Sequence, residues 1–104
     1  MTKKDYDAIE DVICPSNTLR VLASFYTGQE FQYTLSEIAE DTQLSRTAVR
    51  NALSILLKEN KVVKRRRSKQ RTYYQFNNGS LECQRIKKLF DEILAWKLKE
   101  IGDV

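Results

Sequence analysis

The chain has no histidine, two cysteines, one proline and three glycines among 104 residues. Each scarcity removes a class of function. With no histidine, and with Cys14 and Cys83 too far apart in sequence to form a CxxC pair, one chain offers no ligand set for zinc; no metal and no cofactor is expected. The commonest general base is missing too. Scattered glycines make no phosphate-cradling loop, and the acids form no paired carboxylates at an evident pocket. The chain therefore reads as a non-enzyme. No apolar run approaches the ~20 residues that cross a bilayer, and Lys3, Lys4, Asp5 and Asp7 interrupt any signal-peptide core. These absences imply no membrane, a cytoplasmic location and reduced thiols. Cys14 and Cys83 then read as small buried hydrophobes, with a disulfide as the lesser alternative.

What is present is globular: 41% of residues are apolar and 31% charged, enough for one modest core in a chain of this length. Net charge is only +4, but it is unevenly spread. Arg46 to Arg71 holds ten basic residues and one acid, Glu59, leaving 8 basic against 13 acidic residues elsewhere. A basic stripe on an otherwise acidic chain is the footprint of a polyanion site.

Hydrophobic periodicity gives the elements. Residues 1–15 form an arm or short helix that Pro15 ends. Ser16 caps a helix to about Thr27, with Leu19, Val21, Leu22, Phe25 and Tyr26 on its apolar face and Gly28 at the stop position. Phe31-Gln32-Tyr33 can supply only a very short strand. Thr34-Leu35-Ser36-Glu37 is a capping box opening a helix that ends near Asp41 or Thr42. After the Gln43-Leu44 turn, Ser45 caps a longer helix through about Glu59, facing inward with Val49, Ala52, Leu53, Leu56 and Leu57. Two helices joined by so short a turn form a helix-turn-helix. Val62-Val63 and residues 72–76 read as two strands flanking a polar tip over 64–70. Asn77-Asn78-Gly79 is a turn, and Ser80 to about Ile101 a last helix. The fold class is mainly α with a small β-hairpin, in one compact unit.

Residues 16–76 resemble the winged-helix regulators of the ArsR, MarR and PadR kind. The likeness is carried by Thr18-Leu19-Arg20-Val21-Leu22, Thr34-Leu35-Ser36-Glu37-Ile38-Ala39, Leu44-Ser45-Arg46-Thr47-Ala48-Val49, Leu53-Ser54-Ile55-Leu56 and the hairpin ending in Tyr73-Tyr74. It implies a winged helix-turn-helix DNA-binding domain over 16–78 and a dimerisation helix over 79–104. The chain departs from that pattern at Gln43 and at Asn60-Lys61, where such regulators usually carry glycine. It also lacks the cysteine cluster of metal-sensing relatives.

Helix geometry nominates the contacts. With Val49, Ala52, Leu53 and Leu56 inward, the Ser45–Glu59 helix presents Ser45, Arg46, Thr47, Arg50, Asn51 and Ser54, and the first turns of a recognition helix enter the major groove. Arg50 and Asn51 suit bidentate reading of guanine and adenine, while Ser45, Thr47 and Thr34 suit phosphates. The hairpin adds Lys64, Arg65, Arg66, Arg67, Lys69 and Arg71 for the backbone or a narrow minor groove; Tyr73, Tyr74 and Phe76 read as hairpin core.

The last helix, roughly 33 Å long, has more apolar surface than this core needs. Ile86, Leu89, Phe90, Ile93, Leu94, Trp96 and Ile101 are therefore expected at a homodimer interface. The expected function is sequence-specific binding of double-stranded DNA by a homodimeric transcriptional regulator, such as a repressor. Partition or copy-control of a plasmid, and a protein- or RNA-interaction module, stay open as alternatives.

Overall fold

The computed structural model describes residues 8–10, 12–67 and 71–102, apart from the side chains of residues 66, 67 and 100–102. Lys69 thus lies outside the described residues, as do the side chains of Arg66, Arg67 and Ile101. Residues 8–10 and 12 are helical. Then follow α1 (Asn17–Thr27), α2 (Leu35–Thr42), α3 (Arg46–Lys58), β1 (Val62–Arg67), β2 (Thr72–Phe76) and α4 (Leu81–Gly102).

Each of the first three labelled helices starts at a side chain that satisfies an otherwise orphaned backbone N–H. Leu19 N donates to Ser16 Oγ at 3.2 Å and Ala48 N to Ser45 Oγ at 3.0 Å. At α2 the capping box is complete, with Glu37 N on Thr34 Oγ1 and Thr34 N on the Glu37 carboxylate. Between α2 and α3 the chain turns at Gln43, which takes the left-handed conformation (φ 60°) that the sequence offers no glycine for.

The core lies where α1, α2, α3, the hairpin and α4 meet. Val21, Leu22, Phe25 and Tyr26 of α1 pack with Ile38, with Val49, Ala52, Leu53 and Leu56 of α3, and with Val62 and Phe76 of the hairpin. Its few polar members are bonded, as burial requires: Ser24 donates to Asp41 at 2.6 Å and Thr42 to the Ile38 carbonyl at 2.7 Å. Arg20 joins three segments, pairing with Glu10 at 3.1 Å and donating to the Thr42 carbonyl at 3.4 Å.

The strands pair antiparallel, from Val62 opposite Phe76 to Arg67 opposite Thr72, with a register shift between Lys64 and Arg66. β1 is longer than sequence patterning suggests. The ladder to β2 fixes its backbone, and an edge strand can carry cations, so Lys64 to Arg67 sit on the strand rather than at the tip. Tyr33 adds the expected minimal third strand, exchanging two 2.8 Å backbone hydrogen bonds with Tyr74.

Two expectations are corrected by burial. Cys14 is exposed, because it falls in the extended connection after the N-terminal helical segment; only Cys83 is buried, and both thiols are free. Gly28 ends α1 as expected, at φ −102°; it is small because the Tyr33 ring lies against it, so that an added Cβ would meet the phenol oxygen at 1.9 Å. Phe90 and Ile93 belong to the chain's own core, with the Phe90 ring edge-on to Tyr26 at 5.1 Å. Ile86 and Leu94 pack against that core as well. Of the expected interface residues with described side chains, Leu89 and Trp96 remain exposed.

Candidate nucleic-acid interface

Because Val49, Ala52, Leu53 and Leu56 are spent on the core, the other arc of α3 is open. Arg46, Thr47, Arg50, Asn51 and Ser54 are all exposed along it, and so is Ser45 at its cap. Arg46 and Arg50 stand one turn apart, as do Asn51 and Ile55 on the opposite flank. The arc thus carries guanidinium groups on one side, an amide and an apolar group on the other, and hydroxyls between. The Ser45 oxygen accepts from Ala48 N, which leaves its hydrogen for an outside acceptor.

The hairpin is fastened directly to the end of α3. Asn60, left-handed at φ 58°, turns the chain so that Lys61 N bonds the Leu56 carbonyl at 2.9 Å. Lys61 does not join the basic surface. Its ammonium lies 2.7 Å from Glu59 and 3.0 Å from Glu82. The hydrogen bond it donates to Glu59, foremost, raises its pKa against the opposing effect of burial. Lys61 therefore clamps α3, the hairpin root and α4 together. Beyond it Lys64 and Arg65 are exposed. Arg65 is the extra residue of the register shift, and its Nε donates to Gln75 Oε1 at 2.9 Å. Gln75 in turn donates to the Gln29 carbonyl, so this guanidinium is braced against the body of the fold. Arg66 and Arg67 continue the strand opposite Tyr73 and Thr72.

Arg71, just before β2 at the tip end of the hairpin, borders a cleft of about 360 Å³ together with Ser36, Glu40, Thr72 and Tyr74. Thr34 also lines it, but the structure withdraws the phosphate contact expected there. Its hydroxyl and its backbone N–H both point to the Glu37 carboxylate, at 3.0 and 2.8 Å; no donor is left over. On its other side α2 borders a second cleft, about 240 Å³, with Tyr33, Glu37 and Asp41 in its lining. Burial first, then Asp41 and Glu37, push the Tyr33 phenol up. Among the described residues no cluster of three or more potential metal-ligating side chains occurs, and no helix is long and apolar enough to cross a membrane.

Sequence reasoning passed over Gln75, whose role depends on a cross-strand neighbour, and the commitment of Lys61 to two acids. The Glu59/Lys61 spacing was a visible signal for half of the latter.

No family model matches the chain, and no curated protein does. Solved structures do. The adhesin competence repressor AdcR of Streptococcus pyogenes aligns over 81% of this chain and 62% of its own length, at 14% identity and a TM-score of 0.67. A variant of the Staphylococcus aureus regulator MepR, bound to an oligodeoxyribonucleotide, aligns over 97% of this chain and 72% of its own, at 16% identity and 0.65. A homodimeric winged helix-turn-helix DNA-binding domain from Mycobacterium bovis aligns over 93% and 84%, at 18% identity and 0.61. This chain thus spans less than two thirds of the AdcR structure and somewhat more of the others. At such identities the likeness is one of architecture: the chain has the winged helix-turn-helix fold of these transcription regulators.

Proposed function

We propose that this protein is a transcriptional regulator that binds double-stranded DNA as a homodimer in the cytoplasm and catalyses no reaction. One observation carries the reading: on a winged-helix scaffold, the exposed arc of α3 and the adjoining hairpin hold nearly all the cations that stand in excess, while the rest of the chain is acidic. The bound oligodeoxyribonucleotide of the MepR variant and the homodimeric state of the Mycobacterium bovis domain support it by analogy.

In this reading residues 16–78 bind DNA and residues 79–104 pair the copies. Arg50 and Asn51 meet base edges from the first turns of α3, each contributing ~1–3 kcal/mol of discrimination. Arg46, Thr47, Ser45 and Ser54 flank them. Lys64, Arg65, Arg66, Arg67, Lys69 and Arg71 follow the phosphates or enter the minor groove. Two-fold pairing would set the recognition helices one turn of DNA apart, roughly 34 Å, and favour a palindromic site.

Fluorescence anisotropy on a panel of short duplexes over a salt series tests this. The wild type should lose affinity steeply with salt, Arg50→Ala should lose sequence preference, and Arg65→Ala/Arg66→Ala/Arg67→Ala should flatten the salt slope. A wild type that binds no duplex at low salt would overturn the proposal.

A further inference from the structure

Once α4 has docked its Cys83, Phe90 and Ile93 face, a second stripe stays in solvent. It runs through Leu81, Arg85, Leu89, Glu92 and Trp96, spaced by four, four, three and four residues, which keeps them on one side of the helix. Leu81, Leu89 and Trp96 are 63%, 45% and 53% exposed. Among the described residues neither Arg85 nor Glu92 has an ion-pair partner, although both stand on this stripe. Beside them lies an open groove of about 430 Å³ lined by Leu81, Glu82, Arg85, Ile86 and Leu89.

The stripe is complementary to itself in one arrangement. Let two copies of α4 run antiparallel about a two-fold axis between residues 88 and 89. Arg85 then stands level with the partner's Glu92, and Glu92 with the partner's Arg85. Leu81 stands level with the partner's Trp96, and the two Leu89 side chains flank the axis. Helical side chains lean toward the N-terminus of their own helix. In an antiparallel pair that lean carries the partner's indole from the level of Leu81 toward Arg85, into the groove. Parallel pairing would instead set Arg85 against Arg85 and Glu92 against Glu92.

We propose that α4 pairs with α4 of a second copy in this antiparallel register, with two Arg85–Glu92 ion pairs and each Trp96 seated in the other copy's Leu81–Leu89 groove. The pairing rests on the homodimeric reading above and supplies what that reading lacks, a direction and a register. It also replaces the buried residues of the expected interface with Leu81, Arg85 and Glu92, which the width of the apolar stripe had hidden.

Charge exchange separates the possibilities, read by sedimentation and native mass spectrometry on the full chain. Arg85→Glu alone and Glu92→Arg alone each set like charges together twice, and each should self-associate at least about tenfold more weakly than wild type. Mixed, the two variants should form a heterodimer, since each then offers the charge the other needs. A single chain carrying both substitutions should dimerise again. Trp96 is the only tryptophan, so its emission should shift to the red on dilution of the wild type and at once in either single variant. Single variants that dimerise as well as the wild type, or a mixture that stays monomeric, would refute the register. A wild type monomeric at all concentrations would refute the pairing itself. Duplex binding is measured separately by anisotropy: a dimer of this register that ignores DNA would leave the interface standing and remove the proposed function.

Discussion

Gln43 turns the chain between α2 and α3 at φ 60° and ψ 27°, where a Cβ is crowded and glycine is not. Gln43→Gly should therefore stabilise the fold by about 0.5–1 kcal/mol, seen as a rise of several degrees in the thermal midpoint. Asn60, equally left-handed, tolerates that region better and should gain less from the same change. Gly28 answers a different need. Its Cα hydrogen faces a Tyr33 ring held by the Tyr74 backbone and by an edge contact with Phe25 at 6.3 Å. Gly28→Ala should cost about 1–3 kcal/mol, as overpacking does, measured by urea titration. The two thiols separate by burial. Iodoacetamide should modify Cys14 in the native protein and reach Cys83 only on unfolding, a difference that peptide mass mapping would show. Burial, chiefly, raises the Cys83 thiol above its ordinary value of 9.0. The unfolded chain thus gives up this proton first, so the contribution of Cys83 to stability is complete below pH 9 and falls as pH rises past it.

Tyr26 joins the winged-helix body to α4 by its edge contact with Phe90 and by a hydrogen bond from its hydroxyl to Asp91. Tyr26→Phe keeps the ring and deletes the bond to a carboxylate. It should cost about 1–3 kcal/mol, with amide exchange in α4 accelerating more than in α3. The elements that could be read from the chain are those fixed by neighbours in sequence: Ser16, Thr34 and Ser45 each announce a helix start because the N–H they satisfy lies only three residues on. Gln43 could be placed at the turn for the same reason, even without the usual glycine. Two things were not legible. The length of β1 depends on its partner across the hairpin, and four successive cations look like a tip until that ladder is known. The faces of α4 depend on what packs there: periodicity marks Phe90, Ile93, Leu89 and Trp96 alike as apolar, and only the position of α1 assigns the first two to the core. On α3, by contrast, the core face was unambiguous, so its exposed arc followed from helix geometry alone.

Taken whole, the molecule separates charge along the chain: a basic α3 and hairpin, and acids spread over the remainder. A cation on a phosphate displaces condensed counterions, and removing one such cation lowers the slope of log affinity against log salt by about 0.9. That slope therefore reports how many copies bind as well as how many cations each supplies. Arg65 is suited to the test because Gln75 braces its guanidinium from within the hairpin, so removing it disturbs neither the α3 caps nor α4. If one copy binds the duplex, Arg65→Ala removes one phosphate partner and the slope falls by about 0.9. If two copies bind, one substitution removes two and the slope falls by about 1.8. We expect the larger value for the wild-type pairing surface. The smaller value should appear when Arg65→Ala is combined with Arg85→Glu, since both the reference and the test chain then meet DNA singly. Anisotropy on a palindromic and a half-site duplex, with and without the α4 charge change, measures all four falls in slope. A fall of about 0.9 on the palindrome with the α4 surface intact would mean that the two wings of a dimer do not engage DNA together.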